Sequence, residues 1–390
     1  MLDFTSALYL GFEHPSWSLA GWPSLTLGKP AALEEFPDAA EAQRELAALT
    51  GCRQAQLGTS TLHLFCDLFT MLAGPDVAIW IDEAAYPIAG WGADRAVASG
   101  TPVRKFPRHD AAALWRSITG APRARPVIVT DGYCPLWGAH APIREYAACA
   151  DRGGGLLVVD DTQALGIFGR RVDPKEPYGS GGGGSLRYAN LNDSRVLVVS
   201  SLAKAFGAPI AMLGGSRALV DWYRERSGTL AHCSPPSAAA VSAALRASRL
   251  NRQCGDALRR GLADRVSRFR QGAGQFAASA GWFPVQSIRL PGRLDARAVY
   301  EVLLARGVRT LLLRDPVAEG GQIEFVVTVR HGLNEIDYAV ESLRGAVTAV
   351  QRVRKGSNHV ASNGGRDGAL GSAWRSDRPV AEPSRSLRGF

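Results

Sequence analysis

Five short apolar runs recur through the middle of the chain: VAIWI (77–81), RPVIVTDG (125–132), GLLVVDD (155–161), RVLVVSS (195–201) and IAMLGG (210–215). They are interspersed with helical patterns. Runs that are apolar on both faces predict strands of a sheet covered by helices on each side. The connection between the second and third runs shows the logic. APIREYAACADRGG places Ile143, Tyr146, Ala147 and Ala150 on one face and stops at glycines, as a helix does. Strand, helix, strand predicts an α/β domain with a largely parallel sheet.

Past residue 240 the pattern changes. The stretch SAAAVSAALRASRLNRQCGDALRRGLADRVSRFRQGAGQF predicts one long helix or two. WFPVQSIRL and IEFVVTV read as strands, and the segments around ARAVYEVLLARGV and NEIDYAVESLRGAV as helices. Together they predict a small C-terminal α+β subdomain. The expected organisation is an N-terminal arm (1–45), a large domain (46–245), the small subdomain with a returning N-terminal segment (246–355), and a disordered basic tail (356–390). The Gly-rich YGSGGGGSLRY (178–188) is expected to be a flexible excursion between two core strands. It lacks the Lys-Ser/Thr that would follow in a P-loop.

Composition changes this picture little. The chain has 390 residues, 46% of them apolar and 21% charged, which is ordinary for a globular protein. No apolar run approaches the roughly 18 residues that span a bilayer, and the N-terminal MLDFTSALYLGFEHPSW does not read as a signal peptide. Six scattered cysteines with no CxxC pair suit neither a zinc site nor a disulfide framework, and a reducing cytoplasm is the expected location. Of the net charge of +9, the segment 352–390 carries +5, from eight basic and three acidic residues. A solvated tail is the expected reading, and no recognition-helix motif points to a specific nucleic-acid partner.

The chemistry lies at two strand ends. In an open parallel sheet, ligands bind beyond the C-terminal ends of the strands. Asp160 and Asp161 close one run, and SSLAKAFG (200–207) follows another. A carboxylate and Lys204 facing one cleft could be a plain ion pair. An aldehyde cofactor gives them a more specific joint use: the lysine holds it as a Schiff base, and the carboxylate keeps the ring nitrogen protonated so that the ring serves as an electron sink. Asp160 is the expected ring partner. Asp161 is expected to point elsewhere.

VVDDTQALGIFG followed by SSLAKAFGAPIAMLGG resembles the cofactor segment of the α-oxoamine synthases, pyridoxal 5'-phosphate (PLP) enzymes of fold type I. SALYLGFEHP, DGYCPLWGAHAPIREYAACADRGG, SPPSAAAVSAAL and VVTVRHGLNEIDYAVESL are similar to other segments of that family, so the likeness covers most of residues 5–345. The resemblance implies an α/β, fold-type I transferase with a mostly parallel seven-stranded sheet, working as a homodimer. It implies Lys204 as the Schiff-base lysine, Asp160 as partner of the ring nitrogen, and Ser201 at the cofactor phosphate. It also implies that GTSTLH (58–63), with Ser60 and Thr61, gives backbone N–H groups to that phosphate. A small-residue turn entering a helix suits an anion.

Several positions depart from the family pattern. Tyr86 stands where the family stacks a histidine on the ring, Gln163 where a histidine follows the aspartate, and Pro135 where a serine is usual. Tyr86 can still stack and Gln163 can still donate to the phenolic oxygen. Glu324 aligns with the arginine that grips the substrate carboxylate, and is expected to be a substituted surface position. Arg330 lies six residues on, roughly 20 Å along a strand, too far to replace it. The first functional expectation is condensation of an amino acid with an acyl thioester, on coenzyme A or an acyl-carrier protein, with loss of CO2. The alternatives are an aminotransferase acting on an amine or atypical amino acid, and a non-catalytic paired subunit. Retention of both Lys204 and Asp160 argues against the last.

Overall fold

The computed structural model describes residues 1–121, 124–277, 281–291, 294–313 and 322–363. The apolar runs form the strands of one sheet. These are β1 (Gln54–Gly58), β2 (Val77–Asp82), β3 (Val103–Phe106), β4 (Arg125–Asp131), β5 (Leu156–Asp160), β6 (Val196–Ser201) and β7 (Ala211–Gly215). Their order across the sheet is β1-β7-β6-β5-β4-β2-β3. Only β7 runs against its neighbours. This is the mostly parallel seven-stranded α/β sheet expected from the residues.

Alternation along the strands explains why the sheet is covered twice. Val127 and Val129 of β4 and Val158 of β5 pack with Leu64, Phe65 and Leu68 of α1 (Thr61–Leu72) and Ala89 and Ala93 of α2 (Pro87–Ala98). Ile128, Leu157 and Val159 point the other way, onto Ile143, Tyr146 and Ala150 of α3 (Ile143–Arg152). All of these strand residues are buried, so the solvation of both faces is removed together.

The C-terminal part is the expected small α+β unit. Strands β8 (Val285–Ile288), β9 (Leu311–Leu313) and β10 (Gln322–Val326) form an antiparallel sheet in the order β8-β10-β9. The Ala-rich stretch is a single helix, α4 (Ala238–Ala273), started by Ser237, whose side chain accepts from the Ala240 N–H. Its buried Leu262, Val266, Phe269 and Ala273 keep helical spacing to the last turn. Helices α5 (Ala296–Ala305) and α6 (Leu333–Asn363) complete it. Among the described residues no helix is long and apolar enough to cross a membrane.

The N-terminal segment returns to this unit. Leu2–Asp3 pairs in parallel with Val308–Arg309, Phe4 stacks on His331 with ring centroids 4.1 Å apart, and the Val329 N–H donates to the Tyr9 carbonyl at 3.0 Å.

Two expectations change. Helix α6 runs through Asn363, so residues 356–363, assigned to the tail by composition, are helical. They lack apolar periodicity, but extending a helix already nucleated costs far less than starting one. The remaining tail, with its expected disorder and its charge, lies outside the described residues. The second change is the Gly-rich segment, which is a packed loop and not a flexible excursion. The Gly181 N–H donates to Asp256 at 2.8 Å, and Asn251 donates to the Gly181 carbonyl at 3.0 Å. Arg259, 2% exposed, holds Asp256, Asn251 and the Gly166 carbonyl. Asp161, 1% exposed, points away from Asp160's partners and accepts from the Ser185 N–H that ends this loop. Composition reads glycine as freedom; here it marks close backbone approach.

Gly184 tests that point. It has φ +83°, and a Cβ there would lie 1.9 Å from Asp161 Oδ2, whereas Gly181, at φ +86°, has nothing within 4 Å. Gly184→Ala is expected to destabilise by about 2 kcal/mol or more, and Gly181→Ala by about 1 kcal/mol, read from denaturant midpoints.

Burial raises the Asp161 carboxyl from 3.8 to about 6, although the Ser185 hydrogen bonds favour its charged form. The folded chain therefore keeps a proton there that the unfolded chain has released. This contribution is fully present below about pH 4 and is lost as pH rises through about 6. Asp161→Asn should remove on the order of 3 kcal/mol of pH dependence between those values, measured as the change of denaturant midpoint with pH.

Candidate active site

The strand register brings the chemistry to one edge. Gly58 of β1 and Ser201 of β6 both pair with Ala211 of β7, and Asp160 of β5 pairs with Asp131 of β4. Asp82 ends β2, beside them. The C-terminal ends of five parallel strands thus form a continuous row, and Lys204 follows directly from the fourth of these in chain order to arrive above it.

Asp131 and Asp160 are 7% and 6% exposed. Each has one oxygen fixed by a backbone donor: Tyr86 N–H to Asp131 at 3.0 Å, and Thr162 N–H to Asp160 at 3.0 Å. Burial raises both carboxyls above their ordinary values. For Asp131, Asp160's neighbouring charge adds to the effect, while Lys204 opposes the rise at both. Burial in turn pulls the Lys204 ammonium below its ordinary value, and both carboxylates push back. Among the described residues no carboxylate lies within ion-pair distance of Lys204, so the plain ion pair is not what this site builds. It holds an amine of lowered proton affinity near two desolvated acids, a suitable starting point for attack on an aldehyde.

The remaining expected residues sit around this centre. Ser201 is half-buried, its N–H donates to Thr162 Oγ1 at 3.0 Å, and its hydroxyl accepts from the Ala203 N–H at 3.2 Å. Two strands away, roughly 10 Å, Ser60 caps α1 and accepts from the His63 N–H, with its Oγ 2.7 Å from His63 Nδ1. Thr61 opens that helix, whose first N–H groups face the same edge. Tyr86 caps α2 and leaves its ring 62% exposed. Gln163 accepts from the Tyr9 hydroxyl at 2.9 Å. Pro135 lies in a turn closed by the Gly138 N–H on its carbonyl at 3.2 Å.

One expectation is overturned. Glu324 is not a surface position; it is 7% exposed, and its Oε1 accepts from Ser287 at 3.0 Å. A strand position in a subdomain sheet looks solvent-facing when the N-terminal segment that covers it is distant in sequence. Arg330 pairs with Glu13.

Sequence reasoning missed Asp131, Tyr9 and Phe206. Asp131 was legible as the polar end of PVIVTD, by the argument that selected Asp160. Tyr9 reaches Gln163 only through the returning N-terminus. Phe206 stacks with Phe12, and its carbonyl lies 2.8 Å from His14 Nε2, which ties that same segment to the lysine loop.

The residues present fit pyridoxal phosphate: a desolvated lysine, buried carboxylates at ring distance across two strands, and a small-residue helix start with Ser201 for an anion. Comparisons agree. Residues 28–343 match the family model for aminotransferase class I and II. The 8-amino-7-oxononanoate synthase of Alcanivorax borkumensis is 26% identical over 306 residues, covering 77% of this chain and 75% of that protein. Its counterpart in Methylococcus capsulatus is 28% identical over 367 residues, 89% of each. The structure of Sphingomonas wittichii serine palmitoyltransferase superposes with a TM-score of 0.76 at 16% identity, covering 90% of this chain and 88% of that one, a likeness of fold. With a family match over most of its length and the lysine and carboxylates gathered at the strand ends, the chain belongs to the class I and II aminotransferase family.

Proposed function

We propose that the protein is a pyridoxal 5'-phosphate-dependent transferase that joins an amino acid to an acyl thioester with loss of CO2. The observation that carries this reading is the desolvated Lys204 above the paired strand-end carboxylates Asp131 and Asp160. The relatives named 8-amino-7-oxononanoate synthase support the acyl-transfer branch, and a serine palmitoyltransferase of the same fold has been solved with bound PLP. When bound, the cofactor supplies an electron sink for the substrate's α-carbon.

The chain's own residues do the rest. Lys204 holds the cofactor aldehyde covalently and, once freed by an incoming amine, is the base placed to move the α-proton. Asp160 keeps the ring nitrogen protonated. Asp131 adds negative potential beside it and, through the Tyr86 N–H, positions the Tyr86 ring to cover the cofactor face. Gln163, oriented by Tyr9, donates from its amide to the phenolic oxygen. Ser201 and the N–H groups at Ser60 and Thr61 receive the phosphate. The exposed Leu62, Tyr86 and Trp91 form an apolar surface beside this edge and support a homodimer built against it. All six cysteines are unpaired, which suits the cytoplasm.

A second reading, amino transfer, is favoured by the matched family model itself. The visible spectrum separates the two. A yellow chromophore that shifts on adding an amino acid and recovers on gel filtration supports acyl transfer, with CO2 release on adding an acyl thioester. A chromophore that stays bleached until a keto acid is added supports amino transfer.

Lys204→Ala should lose the cofactor retained through borohydride reduction and denaturation; retention of the label would sink the assignment. Asp160→Asn should lower turnover by about 100-fold or more, the scale of removing one electrostatic partner of a developing charge. Asp131→Asn keeps an acceptor for the Tyr86 N–H, so about a 10-fold loss is expected. Equal losses in single-turnover assays would show that the two acids are not divided in this way.

A further inference from the structure

Glu324 is the buried acid that the roles above leave unused. It stands at the centre of the small sheet, with Ser287 of β8 and Leu311 of β9 directly opposite, so all three share one face. Its side chain is closed in, its Oε1 is held by Ser287, and among the described residues no lysine or arginine pairs with it. Burial raises its carboxyl, and Ser287 alone opposes the rise. The Glu324 charge reaches Tyr9, raising its phenol, and Tyr9 donates its one proton to Gln163, three residues from Asp160. The oxygen of Tyr9 is left able only to accept. This flank of the site therefore presents two acceptors and no cation. Arg330, the nearest arginine along the chain, is engaged by Glu13. A carboxylate this far from water needs a positive partner or strong donors, and an anionic substrate group would meet only repulsion here.

We propose that Glu324, together with Tyr9, receives a second cationic group on the amino substrate, an ammonium or guanidinium besides the amine that reacts. The substrate class is then a basic amino acid. The proposal rests on the PLP reading and deepens it, by assigning the specificity of the same site. The α-carboxylate, if lost as CO2, needs no tight grip of its own. Glu324 thus acts as a specificity determinant and does not touch the reacting atoms.

The test is a spectral titration of the PLP-loaded full-length protein with L-ornithine, L-lysine, L-alanine and L-glutamate, in wild type and Glu324→Gln. Glutamine keeps the shape and the Ser287 hydrogen bond and removes only the charge, so folding and cofactor uptake should persist. In wild type, ornithine or lysine is expected to reach half-saturation at least about 10-fold below alanine, with glutamate weakest, as a charge-assisted contact requires. In Glu324→Gln that preference should fall to within about 2-fold. Equal binding of alanine and the basic amino acids overturns the proposal, as does a preference that survives the substitution, which would mean that Glu324 is a protonated structural acid. A protein that takes up no PLP overturns the underlying reading, and the proposal with it. A cofactor-loaded protein with no preference overturns the proposal alone.

Discussion

The structure turns on the cost of keeping like charges out of water at one sheet edge. Adjacent parallel strands lie about 4.8 Å apart, and the register sets Asp131 beside Asp160 at that spacing. Two buried carboxylates so close do not both ionise unless cations compensate them. Lys204 is one cation for two acids, so the edge is one positive charge short. A protonated ring nitrogen supplies that charge. The same deficit that destabilises the bare edge therefore favours binding of the cationic ring, which links the fold's least comfortable feature to its chemistry. Asp161 avoids the competition by turning to the Ser185 N–H, which explains why two consecutive aspartates can close one strand without adding a third charge to the row.

The Gly-rich loop makes this arrangement possible. Asp161 can turn away only because a backbone N–H waits for it, and that N–H is delivered by glycines packed too tightly for any Cβ. Arg259 on α4 fixes the far side of the same loop. A helix that belongs mostly to the C-terminal half thus holds a turn on which the catalytic edge depends, so the two halves are coupled through a buried cation and not only through apolar contact.

The parts legible in the sequence were those written in local periodicity. Runs apolar on both faces predicted a doubly covered sheet, and Val127, Ile128 and Val129 alternate between its two faces. Asp160 and Lys204 were readable because each ends a strand, the place where such sheets bind ligands. Asp131 met the same criterion and was overlooked because a single aspartate before glycine also reads as a turn. The Gly-rich loop was misread because composition does not distinguish glycine chosen for freedom from glycine chosen for lack of a Cβ. Helix α6 outran its apolar pattern because propagation needs no pattern once a helix is nucleated.

What the sequence could not show is the work of the N-terminal segment. Over residues 4–14 it stacks Phe4 on His331, sets Tyr9 on Gln163, packs Phe12 on Phe206 and engages Arg330 through Glu13. No periodicity encodes contacts to residues more than 150 positions away. Yet these contacts decide the character of the substrate flank. The segment buries Glu324, occupies the arginine closest to it, and leaves Tyr9 with only acceptor capacity. A strand position that aligns with a cation-bearing site in the resembling family is thereby enclosed as an acid. Changing one residue from arginine to glutamate at an exposed position alters little. Enclosing that glutamate beneath an acceptor and away from every described cation reverses the sign of the surface a substrate meets, and the enclosure comes from tertiary structure alone.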